Sequence, residues 1–297
     1  MERMKRLFLL GLCLARFFIF GRANKKKSNL KNILIVPTGK LGDVVCATPI
    51  FMGIRTEYPN AKIFVFGNNM AHSVLENSGL FDVYVENKMS FFTSSRIIRN
   101  LQIDFACSNG LSFEVLAILY LAGIPHISAP IIHSRRATQT QSYKILSWFV
   151  DREEFMLGKY APKQYLNLLR AIDIRYTNTA KHLGFSDTAK EKMSAFFKVR
   201  RTSRENNFLI GLTPFAGNKI KEWGLEKFIA LMVLLSKNIG ISWVIFGSSD
   251  DVTGAKKFYN ILTQNISAID MVGRLSIDEL KAAISFLDLF IGVDTGP

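Results

Sequence analysis

The chain has 297 residues, of which 48% are hydrophobic and 21% charged, with a formal charge of +14. That length accommodates two domains of ordinary size, and the composition excludes a disordered chain. Residues 1–31 hold nine Lys/Arg against one Glu and supply +8 of the charge; the rest is moderately basic, with no zinc-finger spacing or RNP-like motif, which argues against a nucleic-acid partner.

The N-terminal stretch reads MERMKRLFLLGLCLARFFIFGRANKKKSNLK. Its apolar run, residues 7–20, contains one charge, Arg16, and has bases on both sides. As a helix it spans roughly 21 Å, against a hydrocarbon core of about 30 Å. A signal peptide fits the lengths, but no A-x-A site follows, and Lys25-Lys26-Lys27 favours retention on the cytoplasmic side. The reading is a hydrophobic and basic helix lying on an anionic membrane surface. Packing on the protein's own core is the competing one.

From residue 32 strands and helices alternate. Asn32–Val36 reads as a strand, 44–57 as a helix ending at Tyr58-Pro59, 61–67 as a strand and 71–77 as a short helix. The pattern continues with a strand over 82–86, a helix over 92–100, a strand over 103–107, a helix over 113–122 and a strand over 126–129. Such alternation predicts a parallel sheet with crossover helices. Between about 133 and 207 the pattern weakens, with a helical stretch at 165–172. A second alternation starts at Phe208: strands over 208–213, 241–247, 268–272 and 289–293, and helices over 225–238, 252–263 and 277–286. The organisation expected is a membrane-associating segment at 1–31, a Rossmann-like domain at 32–175, a linker at 176–207 and a second Rossmann-like domain at 208–297. Ligands of such sheets bind beyond the carboxyl ends of the strands.

Cys13, Cys46 and Cys107 form no C-x-x-C or zinc-like set and read as buried thiols of a reducing compartment. The four histidines show no metal-ligand spacing, so no metal is expected. No strand is followed by G-x-G-x-x-G, which discourages a dinucleotide oxidoreductase.

The segment NILIVPTGKLGDVVCATPI, residues 32–50, opens like a phosphate-binding strand–turn–helix, yet places an acid, Asp43, at the helix start. A carboxylate there repels phosphate. Two readings stand: a helix-capping residue, or a general base facing a neutral hydroxyl. Downstream, LTPFAGNKIKEWGLEKFIAL contains Gly217, Lys219 and Lys221 in a loop suited to phosphate, and VGRLSIDELKAAISFLDLFIGVDTGP ends in Asp294-Thr295-Gly296.

These three blocks, in this order, resemble glycosyltransferase family 9, which contains the bacterial lipopolysaccharide heptosyltransferases. The resemblance rests on Gly42-Asp43, Thr48-Pro49 and Tyr58-Pro59, on Lys221-x-Trp223, and on the final Gly-x-x-Ser-x-x-Glu-Leu helix leading to Asp-Thr-Gly. It covers residues 32–297. It implies an α/β fold of the GT-B type, two facing Rossmann-like domains with parallel sheets. The implied activity is inverting transfer of a sugar from a nucleotide-diphosphate donor, ADP-heptose first, onto a lipid-linked glycan of the lipopolysaccharide core, without a cofactor. The implied location is the cytoplasm, peripheral on the inner membrane. Asp43 then becomes the base and Lys221 the partner of the departing diphosphate, although a shifted register selects Lys219. Thr213, Gly217, Asp294, Thr295 and Gly296 are implied at the donor, with Asp251 (or Asp250) on a ribose. Gly42, Arg135 and Arg136 are candidates for the acceptor, Lys144 lying nearby in sequence. The family usually has Pro after the Trp, where this chain has Gly224, and continues beyond the last strand, where this chain stops at Pro297. A shortened C-terminus with an incomplete second sheet is therefore expected. The alternative function is a catalytically inactive, membrane-held binding protein.

Overall fold

The computed structural model describes residues 2–21, 30–133, 139–201, 207–237, 239–262 and 266–295. The chain divides into two compact units, Met1–Leu183 and Gly184–Pro297.

The first unit begins with α1 (Glu2–Phe20). There follow β1 (Asn32–Val36), α2 (Leu41–Glu57), β2 (Lys62–Gly67), α3 (Asn69–Leu75), β3 (Val83–Glu86), α4 (Phe91–Asn100), β4 (Phe105–Ser108), α5 (Phe113–Ala122) and β5 (His126–Ile131). The unit continues through α6 (Gln141–Ser147), β6 (Asp151–Glu154), α7 (Ala161–Leu166) and a 3-10 helix, Asn167–Ile172. Among the described residues its six strands are all parallel, in the order β3-β2-β1-β4-β5-β6. The order reverses between β1 and β4, so the crevice of a doubly wound sheet opens at their carboxyl ends. Leu34, Val36, Phe64, Phe66 and Ala106 pack with α1 and α5 on one face. The alternate residues Ile33, Ile35, Ile63, Val65 and Phe105 are equally buried, as a sheet covered on both faces requires.

α6, β6 and the start of α7 escape the sequence pattern. β6 reads DREE, with no apolar run; it is an edge strand carried by backbone pairing to β5. α1 meets both readings of the N-terminal stretch. Leu9, Leu10 and Cys13 are buried in the core beside α5, while the far side of the helix is exposed. Among the described residues no helix is long and apolar enough to cross a membrane.

The second unit holds α8 (Asp187–Arg201), β7 (Asn207–Thr213), α9 (Leu225–Ser236), β8 (Gly240–Ile245), α10 (Val252–Ile261), β9 (Ala268–Asp270), α11 (Ile277–Ser285) and β10 (Leu289–Gly292). Among the described residues its four strands are parallel in the order β10-β7-β8-β9, with the reversal between β7 and β10. Phe215, Phe228, Met232, Trp243 and Phe258 fill one face. Met193, Phe197, Val244, Phe246, Ala282 and Ala283 fill the other. α8 lies where the sequence pattern suggests a linker. Its Ala189, Met193 and Phe197, spaced by four, pack on α11, and the charges between them hide that stripe. The Ser-x-x-Glu signature is a capping box: Ser276 Oγ accepts the Glu279 N–H at 3.2 Å, and Glu279 accepts the Ser276 N–H at 2.9 Å.

Candidate functional site

In the first unit the chain leaves β1 through Pro37, Thr38, Gly39 and Lys40 and enters α2. Asp43 is the third residue of that helix. Its Oδ2 accepts the Lys40 backbone N–H at 2.8 Å, and its own N–H donates to the Lys40 carbonyl at 2.9 Å. The capping role weighed for Asp43 is thus present, although at the third position rather than the cap itself. Gly39 has φ +100°, which only glycine adopts without strain. Gly42 is exposed, and a Cβ there would meet nothing within 4 Å.

The loop after β4 clamps this turn. Asn109 Oδ1 accepts both the backbone N–H of Thr38 (2.7 Å) and its hydroxyl (3.1 Å), and Asn109 Nδ2 donates to the Thr38 carbonyl at 3.3 Å. A Cβ on Gly110 would overlap Thr38 Oγ1 at 1.8 Å, so glycine is needed for the approach. Tyr165, from α7, is buried, and its hydroxyl engages Asn109 and Asp43; burial first and the Asp43 charge second push that phenol up to about 12.

Thr48-Pro49 has a mechanical explanation. Pro49 lies inside α2 and lacks the N–H that would bond the carbonyl four residues back. That carbonyl is Val45's, and Thr48 Oγ1 donates to it at 2.8 Å. The same hydroxyl accepts the His182 N–H at 3.1 Å. It thereby anchors the segment carrying Lys181, whose Nζ lies 2.6 Å from the Tyr160 hydroxyl. That hydrogen bond holds the Tyr160 phenol below its ordinary value. Burial raises the Cys46 thiol, and the Lys181 charge partly offsets this. Asp43, Cys46, Asn109, Tyr165, Lys181 and Tyr160 therefore form one polar cluster beside the crevice of β1 and β4. Only Asp43 is singled out by sequence. The polar turn Ser108-Asn109-Gly110 directly after a buried strand was the available signal.

In the second unit β7 ends at Thr213, which is buried, and among the described residues its hydroxyl has no hydrogen-bond partner. The loop beyond closes on itself, the Ala216 N–H donating to Glu222 at 3.4 Å. A 3-10 turn, Lys219–Lys221, follows. Lys221 Nζ reaches Asp294 Oδ2 at 2.5 Å, joining the loops after β7 and β10 across the strand-order reversal. The geometry thus brings Lys221, not Lys219, to Asp294. Gly217 is exposed, and a Cβ added there would meet nothing within 4 Å. Asp251 Oδ2 is engaged locally, accepting the Ser248 N–H at 2.8 Å and its hydroxyl at 2.7 Å. Thr295 follows Asp294 and is half-buried. Gly296, Arg135 and Arg136 lie outside the described residues, and Lys144 is on α6. Among the described residues no group of three or more His, Cys, Asp or Glu is placed to hold a metal ion.

Residues 122–297 match the family described as glycosyltransferase family 9 (heptosyltransferase). The chain belongs to that family. It is therefore a glycosyltransferase, as the three sequence blocks implied. It is 22% identical over 275 residues to lipooligosaccharide heptosyltransferase 2 of Campylobacter jejuni, covering 90% of this chain and 76% of that protein. Among solved structures it is similar to the family 9 glycosyltransferase of Veillonella parvula, with a TM-score of 0.75, 18% identity, and 92% of this chain and 77% of the other covered. It is also similar to the ADP-heptose lipopolysaccharide heptosyltransferase II of E. coli, with a TM-score of 0.69, 18% identity, and 89% and 80% covered. These likenesses bear out the α/β fold with parallel sheets expected of the GT-B type.

Proposed function

We propose that the protein is an inverting heptosyltransferase that moves heptose from ADP-heptose onto a lipid-linked glycan of the lipopolysaccharide core. The observation that carries this reading is the placement of opposite chemistries at the two strand-order reversals. The first unit presents a carboxylate, Asp43, and the second a cation, Lys221. In an inverting step the acceptor hydroxyl oxygen attacks the anomeric carbon, its proton passes to Asp43, and the bond to the diphosphate oxygen breaks. The departing ADP takes up negative charge, which Lys221 offsets. An acid where phosphate normally binds is consistent with an acceptor site, because the diphosphate belongs to the second unit.

Thr213 supports the donor role of that unit, since a buried hydroxyl without a partner is one a ligand can satisfy. Gly217 leaves room for backbone amides to approach phosphate. Lys219, Asp251, Asp294, Thr295 and Gly296 are assigned to the same ligand. Asp294 must exchange Lys221 for it. Gly42 gives the acceptor room beside Asp43, and Arg135 and Arg136 are assigned to acceptor phosphates. The titratable partners already in the first cluster, Lys181 and Tyr160, belong with the acceptor as well. The lipid-linked acceptor places the enzyme on the cytoplasmic face of the inner membrane, with the units Met1–Leu183 and Gly184–Pro297, wider than the 32–175 and 208–297 expected from sequence, as the two working domains. The test is transfer of heptose from ADP-heptose to a heptose-deficient core acceptor, with product anomericity read by NMR. A product that retains the donor's configuration, or no transfer with any ADP-sugar, overturns the reading.

A further inference from the structure

The feature the transfer chemistry does not use is the outer side of α1. Its inner side is core: Leu9, Leu10 and Cys13 are buried, and Phe17 stacks on Phe149 with ring centroids 4.4 Å apart. Its outer side carries Met4, Leu7, Phe8, Phe18 and Ile19, each at least 58% exposed. These positions fall on one helical face, and the two residues between them on that face are Gly11 and Ala15. Among the described residues no charge interrupts it. A helix on the surface of a globular protein ordinarily turns charged residues outward. Here the outward face is as apolar as the inward one.

Two of its charges lie along one flank, while Arg6 is partly buried on the inner side. Lys5 and Arg16 are eleven residues apart, three helical turns, and so share one side. The Arg16 guanidinium rests 5.3 Å from the Phe20 ring and 5.7 Å from the Tyr120 ring. On α6, which packs with α1 through the same core, Ile145 is exposed; Trp148, just past its end, is exposed too, and Arg152 stacks 4.0 Å from the Trp148 ring. A tryptophan with a guanidinium beside it suits the level of lipid headgroups.

We infer that the Met4–Leu7–Phe8–Phe18–Ile19 face of α1 inserts into the surface of an anionic bilayer, with the helix axis in the membrane plane. The helix lies flat because its inner side is already taken by the core. The occupant is a membrane rather than a second copy because of charge. Residues 1–31 carry nine bases and one acid, Glu2, so a second copy would bring like charge to like charge. Anionic headgroups neutralise the same bases while the acyl region accepts the apolar face. The inference rests on the proposed lipid-linked acceptor for which membrane is used, and not for the existence of the face.

The experiment is flotation of the full chain with vesicles of phosphatidylcholine alone, and with about 30% phosphatidylglycerol added, at low and high salt. The variant Phe8→Gln/Phe18→Gln/Ile19→Gln alters only exposed side chains, and an unchanged thermal midpoint confirms that it folds. Wild type is expected to float with anionic vesicles and to release in high salt, and the variant to lose at least about tenfold in bound fraction. Turnover of a delipidated, water-soluble acceptor is expected to be equal in both. A variant that floats like wild type overturns the inference. So does a wild type that sediments as a dimer, with the variant monomeric and neither bound to vesicles. Face-dependent flotation in a chain that transfers no heptose upholds this inference and removes the proposed reaction instead.

Discussion

Asp43 Oδ2 occupies the space that a side chain on Gly39 would need: a Cβ built on Gly39 falls 2.4 Å from that oxygen. Gly39 also has φ +100°. Gly39→Ala therefore meets two penalties, a backbone conformation that costs about 1–2 kcal/mol for an L residue and displacement of the carboxylate. The expected outcome is a lower denaturation midpoint together with lost turnover. Wild-type turnover in a folded Gly39→Ala chain would show that the position of Asp43 is not critical.

Asp43→Asn separates the two duties of this carboxylate. An amide oxygen still accepts the Lys40 N–H, so the start of α2 is kept. It cannot take a proton, so turnover is expected to fall at least about 100-fold, the scale of general-base loss. ADP binding, measured by calorimetry, is expected to stay within about twofold. A variant that turns over normally would leave Asp43 with its capping role alone.

Thr48→Val removes the hydroxyl that serves both the Val45 carbonyl and the His182 N–H. Two backbone groups lose their partner, and a stability loss of about 1–3 kcal/mol is expected from denaturant unfolding. Thr48→Ser, which keeps the oxygen, is expected to recover most of it. Equal losses in the two variants would point to the methyl group instead.

Lys221→Met tests the donor side. The Lys221–Asp294 pair is exposed, so its removal is expected to change stability by less than about 1 kcal/mol. ADP affinity is expected to drop at least about tenfold and to become less sensitive to salt. Unchanged ADP affinity would move the diphosphate away from Lys221 and reopen Lys219.

The second unit carries a pH signature. The Lys192 ammonium and the Ser276 N–H hold the Glu279 carboxyl below its ordinary value. A carboxylate depressed in the folded state stabilises fully above the unfolded value, about 4.3, and that contribution is lost as pH falls through the lower folded value. Denaturant midpoints taken from pH 6 down to about 3 are expected to fall less steeply in Glu279→Gln than in wild type. Parallel curves would show that the Lys192 contact carries no linkage.

Local pattern was enough for the alternating elements. Runs such as Ile33–Val36 and Ile63–Phe66 are apolar at every position because both faces of their sheet are covered, and that reads directly from sequence. The blocks around Asp43, Lys221 and Glu279 were equally legible, because capping, glycine turns and Thr-Pro act within a few residues. β6 and α8 were not, since a charged edge strand and a highly charged helix blur the period that would announce them. Convergence was beyond reach. Asn109 meets Thr38 from 71 positions away, and His182 meets Thr48 from 134; the order β3-β2-β1-β4 decides that the loops after β1 and β4 are neighbours. In the same way β10 pairs with β7 and brings Asp294 beside that turn, where Lys221 rather than Lys219 meets it. The outward face of α1 was legible as a stripe of apolar residues, but which side of the helix stayed uncovered depended on α5 and α6 taking the other. Periodicity encodes the face an element will bury; only tertiary packing decides what meets it.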